Sequence, residues 1–274
     1  GPRRLAGGDR VGWRQLVRRA GDEGRRFLTH YGGTPMSDDT VASLSGVSRT
    51  YGGVPVLDSV TLDVSPGVMA VVGPNGSGKS TMLRLLAGAV EPTTGTVVVT
   101  ESSGPKPVGY LPQHVPFRDG FTASETLAFY ARLVDADPDA ALEQVGLTDA
   151  ADRPVEALSG GMRRLLGIAQ ATVGSPPLVV LDEPTSGLDP GMRERAFRTA
   201  TGVATDGTAV VLSSHDLELV DDHADSVVLL AGGQVAAAGS RSDLLDDYDV
   251  ASVGELYRAV VGGSFATDES PAVH

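Results

Sequence analysis

A short glycine-rich stretch combines the residue types that bind a nucleotide phosphate. It reads Gly73-Pro74-Asn75-Gly76-Ser77-Gly78-Lys79-Ser80-Thr81 and fits the pattern Gly-x4-Gly-Lys-Ser/Thr. Apolar residues 68–72 precede it as a predicted buried strand, and residues 80–87 follow as a predicted helix. Glycines let successive N–H groups face an anion at a helix N-terminus, so we expect Lys79 to reach the β- and γ-phosphates and Ser80 to ligate Mg²⁺. A plain glycine-rich turn is the alternative, but the chain has only two lysines, which makes a chance match rare.

Two neighbouring carboxylates follow another apolar run. Asp182 and Glu183 come directly after the apolar residues 178–181. Open α/β sheets bind ligands at the carboxyl ends of their strands, so these side chains are expected at the sheet edge that carries the phosphate loop. One acid can hold Mg²⁺ through its hydration shell while the other orients an attacking water. An acidic helix start is the alternative, and the upstream phosphate loop favours the catalytic interpretation.

Two further stretches carry candidate groups for the same chemistry. His215 follows the apolar residues 209–212, which puts it near the same sheet edge and within reach of a γ-phosphate; a residue beside a helix cap is the simpler alternative. Ser159-Gly160-Gly161 begins a predicted helix, whose free N–H groups make a second anion site, although an ordinary serine cap would look the same. Since one nucleotide rarely needs two phosphate cradles in one chain, the second suggests a nucleotide held by a neighbouring subunit.

Composition and charge limit the classes of function. The 274 residues carry a net charge of −13, with 2 Lys, 20 Arg and no Cys, which excludes disulfides and thiolate metal sites. Residues 1–35 hold eight Arg and three acidic residues, whereas the remainder holds 14 basic and 32 acidic residues. So acidic a remainder repels nucleic acid, and no nucleic-acid partner is expected. It also favours a halophilic source, where acidic surfaces maintain solubility in concentrated salt, over an ordinary acidic bacterial protein.

Taken in order, these motifs resemble those of the ATP-binding subunit of an ABC transporter, from residue 41 to about 238. The matching positions are Tyr51, the aromatic that stacks on adenine; 73–81, the phosphate loop; Gln113, in the lid loop; 158–162, the signature; Asp182 and Glu183, the Mg²⁺ aspartate and catalytic glutamate; 186–189, the loop across the dimer; and His215, the switch histidine. Each motif alone is weak, but their common order is specific. Two positions depart from the family: Met162 replaces the usual Gln, and Leu165 stands where a basic residue is common.

The resemblance implies a fold of the α/β class. It is a P-loop NTPase with an ABC-type ATPase core, an antiparallel β subdomain and an inserted helical subdomain. In this sequence, strand patterns give way to helical patterns between about 113 and 174. We therefore expect a basic extension, disordered or non-native, at 1–35; an ATPase domain at 36–240, with its core at 36–112 and 175–240 and the helical insertion at 113–174; and a C-terminal helical tail at 241–274.

The resemblance also implies cofactors, partners and residue roles. ATP and Mg²⁺ are the cofactors, with Ser80, Gln113 and Asp182 around the metal. Hydrolysis involves Lys79, Gln113, Glu183 and His215. Two copies close head to tail, so that Ser159, Gly160 and Gly161 of one copy contact the nucleotide held by the other. A separate transmembrane permease keeps the subunit at the cytoplasmic side of the membrane.

Other classes of ATPase or GTPase fit less well. The guanine-reading motif of GTPases needs an Asn beyond the phosphate loop, and Asn75 is the only one in the chain. Soluble ABC ATPases of translation or repair usually contain two ATPase halves or long coiled-coil insertions, and neither pattern is present. A regulatory module without turnover is disfavoured by Glu183 and His215. The run Ser213-Ser214-His215-Asp216 and the compact insertion favour an exporter over an importer.

Overall fold

Two β-sheets frame the protein in the computed structural model, which describes residues 40–100, 106–204 and 207–264. The smaller sheet is antiparallel, has the order β2-β1-β4 and consists of β1 (Ala42–Tyr51), β2 (Val54–Val64) and β4 (Thr94–Val99). The larger sheet has the order β5-β6-β7-β3-β8-β9. Its strands are β3 (Gly67–Val72), β5 (Val108–Leu111), β6 (Leu178–Leu181), β7 (Ala209–Ser213), β8 (Ser226–Ala231) and β9 (Gln234–Ser240).

The order of the larger sheet brings the candidate motifs together. Strands β5, β6, β7, β3 and β8 run parallel, and only β9 pairs antiparallel with its neighbour. Strand β7 lies between β3, which enters the phosphate loop, and β6, which ends before Asp182. Parallel strands end at one edge, so the phosphate loop, the carboxylates and His215 all lie at that edge.

Helices cover the sheets and form the region between β5 and β6. The α-helices are α1 (Lys79–Leu86), α2 (Ala123–Val134), α3 (Pro138–Gln144), α4 (Gly160–Thr172), α5 (Pro190–Thr201), α6 (Leu217–His223), α7 (Arg241–Asp247) and α8 (Val253–Ser264). Helix α2 begins with a complete capping box, in which Thr122 and Glu125 satisfy each other's backbone N–H groups. Within the described ranges, every helix is too short or too polar to span a bilayer.

Two hydrophobic clusters lie on opposite faces of the larger sheet. Along β3, Val68, Ala70 and Val72 belong to the cluster that the helices α2, α4 and α5 cover. The alternate residues Met69 and Val71 belong to the cluster shared with the antiparallel sheet and helix α1. Since side chains alternate along a strand, a strand buried on both faces reads as a continuous apolar run. This burial holds the sheet edge, and the site on it, in place.

Most predicted elements are confirmed, but several bounds are corrected. The β-rich runs at 108–111, 178–181 and 209–213 each predict a strand, and they match β5, β6 and β7 residue for residue. Residues 60–64 also predict a strand, but β2 already begins at Val54, because it pairs with β1 across a two-residue turn. Helix α6 has no counterpart among the predicted elements, since seven residues are too few to show a helical period. The predicted extension at 1–35 lies outside the described residues, and the domain boundaries stay predictions.

Candidate active site

A polar cleft of about 440 Å³ opens at the carboxyl edge of the larger sheet. Its walls come from the phosphate loop, the loop after β5, and the loops after β6 and β7. The predicted site residues that line it are Asn75, Gly76, Gly78, Lys79, Ser80, Thr81, Gln113, Glu183 and His215, and Val56 of the antiparallel sheet completes the wall. The structure therefore gathers groups that lie up to 140 positions apart in the sequence.

The phosphate loop depends on close backbone packing at two glycines. A Cβ at Gly73 would lie 2.2 Å from the carbonyl oxygen of Leu230, and one at Gly78 would lie 2.5 Å from Leu57 Cδ2. Both residues also have positive φ angles, of 153° and 104°, which favour glycine. Gly78 is the N-cap of helix α1 and provides no side chain to cap its N–H groups. Those groups are consequently free to bind an anion.

Lys79 is the first residue of helix α1 and places a cation at this helix end. Its Nζ donates hydrogen bonds to the carbonyl oxygens of Gly73 (2.7 Å) and Pro74 (3.1 Å), which curls the side chain over the loop. Burial lowers the pKa of Lys79 below its ordinary value, while the carboxylates of Glu183 and Asp182 act in the opposite direction. The two carbonyl oxygens that accept these hydrogen bonds carry no full negative charge. A phosphate at the same place would give it a charge-assisted partner.

Asp182 is completely buried and only half satisfied. Its Oδ1 accepts hydrogen bonds from Ser213 Oγ (2.8 Å) and Ser80 Oγ (3.1 Å). Its Oδ2 is buried and has no partner among the described residues. An unpaired carboxylate oxygen beside a serine hydroxyl is the oxygen donor set that Mg²⁺ prefers. These residues therefore fit the metal that the sequence predicts.

Glu183 and His215 form the reactive side of the cleft. His215 Nε2 lies 2.8 Å from Glu183 Oε1. Glu183 has a left-handed backbone with a φ of 53°, which is uncommon outside glycine, and its N–H donates to Ser213 Oγ at 2.9 Å. Held in this way, Glu183 lines the cleft, whereas the buried Asp182 does not. Such a pair can hold and polarise a water molecule near the phosphate loop.

The remaining predicted site residues do not line the cleft. Gly73, Pro74, Ser77 and Asp182 are next to the cleft but do not line it. Among the described residues, Tyr51 and the three residues of Ser159-Gly160-Gly161 also stand outside its lining. Tyr51 is 38 % exposed at the end of β1, with the guanidinium carbon of Arg49 4.5 Å from its ring centre. One face of that ring is thus occupied by a cation.

Ser159 begins helix α4 on the protein surface. It is the N-cap, and its Oγ accepts a hydrogen bond from the N–H of Met162 at 3.2 Å. Ser159 and Gly160 are exposed, whereas Gly161 is buried against the side chain of Met192. This helix end therefore faces outward, and its first turn contains no acidic residue.

The two departures from the family pattern have a packing explanation. Met162 uses only its backbone N–H at the helix cap, and its half-buried side chain packs on the larger hydrophobic cluster. Leu165 is fully buried in that cluster, where an ionised side chain would be costly. Neither substitution disturbs the cap formed by Ser159.

Sequence reasoning missed two residues that organise this site. Ser213 Oγ joins the two acids, because it donates to Asp182 and accepts from the N–H of Glu183. Arg164 is 8 % exposed and bonds to main-chain oxygens around the cleft. A charged residue on an amphipathic helix is normally assigned to the solvent face. The signal against that assignment is the run from Leu165 to Ala169 directly after it, which is buried throughout.

Comparisons with known proteins identify the family of the chain. The sequence profile of the ABC transporter family matches residues 57–186. The chain is 34 % identical over 233 residues to "Nod factor export ATP-binding protein I" of Rhizobium etli, covering 80 % of this chain and 74 % of that protein. It is 39 % identical over 244 residues to "Hemin import ATP-binding protein HmuV" of Rhodococcus jostii, covering 82 % and 81 %.

A solved structure gives the same result at the level of the fold. An ATP-binding subunit of an ABC transporter superposes with a TM-score of 0.72 at 27 % identity, and the match covers 81 % of this chain and all of that one. The α/β fold, with one antiparallel and one mainly parallel sheet, agrees with that of the family. The chain belongs to the ABC transporter family, as an ATP-binding subunit that hydrolyses ATP in the service of transport.

Proposed function

We propose that the cleft beside Gly78 and Lys79 is where this subunit binds and hydrolyses MgATP. The observation that carries the proposal is the convergence of an ammonium group, a half-satisfied buried carboxylate and a Glu–His pair around one free helix end. The N–H groups of the phosphate loop and Lys79 hold the β- and γ-phosphates, in exchange for the loop carbonyls that Lys79 now contacts. Tyr51 stacks on adenine with the ring face that Arg49 leaves open.

The metal and catalytic roles follow from the same contacts. Ser80, Asp182 and the side chain of Gln113 hold Mg²⁺, which supplies positive charge for the triphosphate. Glu183 orients the water that attacks the γ-phosphorus, and His215 fixes the carboxylate through their 2.8 Å contact. Lys79 offsets the charge that develops on the phosphoryl oxygens. Catalysis in this arrangement is chiefly positioning and charge stabilisation.

We further propose that two copies close head to tail over the nucleotide. Helix α4 presents free N–H groups and the Ser159 hydroxyl on the surface, at a distance from the cleft of its own chain. A helix end of this kind favours an anion. The γ-phosphate held by a second copy is an anion that the proposed chemistry itself supplies. Each nucleotide would then contact Lys79 of one copy and Ser159 of the other.

Mixing two inactive variants tests this arrangement. Lys79→Ala and Ser159→Arg each damage both sites of a head-to-tail dimer. In a mixed dimer, one site keeps both wild-type residues, and the other loses both. We expect ATPase activity to appear on mixing, up to about a quarter of the wild-type rate for a symmetric dimer with random exchange. If the mixture hydrolyses no faster than the two variants measured apart, the shared-site proposal is wrong.

We propose that the dimer powers a separate transmembrane permease in export and is held at the cytoplasmic side of the membrane by that permease. The exposed Phe129 and Leu133, one turn apart on helix α2, offer an apolar contact for it. Export is supported by several Nod factor export proteins among the relatives, at 32–34 % identity. We also propose a halophilic source and no nucleic-acid partner, because the chain carries a net charge of −13.

Import is the second candidate for the direction of transport, because a hemin import protein is 39 % identical to the chain. The reading frames next to this one discriminate between the two. A multi-spanning membrane protein encoded there, without an extracytoplasmic solute-binding protein, would support export. A solute-binding protein encoded in the same cluster would favour import and overturn the assigned direction.

A further inference from the structure

A buried guanidinium group on helix α4 joins the segments that surround the cleft. Arg164 is 8 % exposed and donates five hydrogen bonds, all to main-chain oxygens. The acceptors are Pro112 (3.1 Å), Gln113 (3.0 Å), Asp182 (2.6 Å), Pro184 (3.0 Å) and Glu183. One side chain therefore ties the loop after β5 to the loop after β6.

These contacts require an arginine. The five bonds account for every N–H donor of the guanidinium group, and the planar fork directs them to the two loops at once. An ammonium group has fewer donors and concentrates them at one point, so it cannot reach both loops together. Arg164 has no carboxylate oxygen among these acceptors. Asp182 and Glu183 contribute their main-chain oxygens to it and keep their side chains for the cleft.

The backbone that Arg164 holds is the one that aims Glu183. Glu183 has a φ of 53°, a conformation that a non-glycine residue keeps only when its surroundings impose it. Its N–H is held by Ser213 Oγ and its carbonyl oxygen by Arg164. Loss of the bond to the carbonyl would leave the N–H contact alone to hold this uncommon conformation. Relaxation of Glu183 toward an ordinary φ would then move its carboxylate away from His215 Nε2, which lies 2.8 Å from it.

We propose that Arg164 is a positioning residue for ATP hydrolysis, which acts by holding the main chain of Glu183 and Gln113 in the geometry that turnover needs. The proposal rests on the role proposed above for Glu183. It assigns Arg164 to the chemical step and not to ATP binding, because no contact of Arg164 reaches the phosphate loop among the described residues.

The test compares Arg164→Lys with Arg163→Lys, a neighbouring exposed arginine on the same helix. ATPase rates of the full chain are expressed per nucleotide-binding site, so that unfolded protein is not counted. We expect Arg164→Lys to lower kcat by about a hundredfold, the effect of a misplacement near 1 Å, with the KM and Kd for ATP changed less than about twofold. Arg163→Lys should match the wild type. A wild-type kcat for Arg164→Lys would overturn the proposal.

A double-mutant cycle separates positioning from general structural support. In the Glu183→Gln background, Arg164→Lys should cause no further fall in the residual rate, because the group through which it acts is already gone. An equal fall in both backgrounds would show that Arg164 acts elsewhere. Arg164→Gln, which removes the charge, provides a second variant. If neither variant folds at the assay temperature, Arg164 is a stability residue and the proposal fails.

The cycle also separates this inference from the proposed function. A Glu183→Gln variant that hydrolyses ATP normally contradicts the role of Glu183 and, with it, the basis of the inference. An inactive Glu183→Gln variant beside an active Arg164→Lys variant contradicts the role of Arg164 alone.

Discussion

Helices α1 and α4 both have glycines at their N-termini, but of these two ends only that of α1 lies in the cleft. Helix α1 begins after Gly78, has no side-chain cap, and carries the buried Lys79 beside Asp182 and Glu183. Helix α4 begins after Ser159, which caps it, and its first turn is partly exposed and lacks acidic residues. Both ends carry the positive end of a helix dipole, but at α4 the N–H of Met162 already donates to Ser159 Oγ. The two ends differ in the side chains that neighbouring strands place beside them.

The comparison explains why one end can act alone and the other cannot. At α1, strands β6 and β7 deliver carboxylates, a serine and a histidine to the same sheet edge. At α4, the surrounding chain provides only the Ser159 cap and the packing of Met192 on Gly161. A helix end becomes a reaction centre when a sheet edge brings ionisable groups to it. The second end resembles half of a site and is consistent with the proposed shared nucleotide.

Removal of the Glu183 carboxylate should have the largest effect at the first helix end. Glu183→Gln keeps the shape of the side chain but loses the base that orients water, so turnover should fall by about a hundredfold or more with ATP binding intact. The ATP-bound dimer should also live longer and elute as a dimer in sizing chromatography with MgATP. Glu194→Gln, an exposed acid on helix α5, is the control. A Glu183→Gln variant that stays monomeric and hydrolyses normally would contradict the assignment.

Removal of the Lys79 charge should make the first helix end resemble the second. Lys79→Ala loses a charge-assisted contact with the phosphates worth about 1.5–3 kcal/mol, so the affinity for ATP should fall at least about tenfold. Titration with ATP measures this directly. Lys106→Met removes the only other lysine, which lies outside the cleft lining, and should leave the affinity unchanged. Equal affinities for all three proteins would mean that the phosphate loop is not the binding site.

The first helix end was predictable from the sequence because its signals are local. A glycine pattern, continuous apolar runs and the residues directly after them gave strands β6 and β7, the phosphate loop, Asp182, Glu183 and His215. Runs buried on both faces have sharp ends, since the first polar residue marks where the strand reaches the edge of the sheet. That rule predicts that Glu183 and His215 lie at the same edge, but it does not predict the contact between them.

Contacts that depend on tertiary packing were not predictable. Arg164 looks like a solvent-facing residue until helix α4 is seen to be covered on nearly every side. The start of β2 depends on its pairing with β1, and neither Val54 nor Pro55 has a strand pattern of its own. Tyr51 was assigned to the adenine by resemblance, and its stacking with Arg49 has no signal in the spacing of motifs. In each case, the contact is made in the folded structure and leaves no pattern in the residue's own stretch of sequence.

Added salt should raise ATPase activity, whereas the two substitutions above lower turnover or affinity. Closure of the proposed dimer would bring two acidic surfaces together, and the Debye length falls from about 30 Å at 0.01 M to about 3 Å at 1 M salt. We expect ATPase activity and thermal stability both to rise from about 0.1 M to above 1 M KCl, with activity rising more steeply. Melting and activity series across KCl concentrations measure this. Stability that stays flat or falls would contradict a halophilic source and leave the ATPase assignment untouched.

The smallest expected effect concerns the other end of helix α4. Lys106 Nζ donates to the carbonyl oxygens of Gln170 (3.1 Å) and Ala171 (3.0 Å) in its last turn. A cation is favoured at a helix C-terminus, but burial outweighs this and lowers the pKa of Lys106 from 10.5 to about 8. Between these two values, the unfolded chain binds a proton that the folded chain has released. The free energy of unfolding should therefore rise with pH across that window.

Comparison with Lys106→Met isolates this contribution, because the variant cannot titrate at that position while every other group is shared. The melting temperature of the wild type relative to the variant should be constant below pH 7, start to rise near pH 8 and keep rising toward pH 10. The direction follows from the lowered pKa, since a Lys with a raised pKa would show no change over this range and would lose stability only as the pH rose above 10.5. A difference that falls or stays level would mean that the Lys106 ammonium group is not buried against the end of helix α4. The same variant should leave the affinity for ATP unchanged, which keeps this end of the helix separate from the cleft at Lys79.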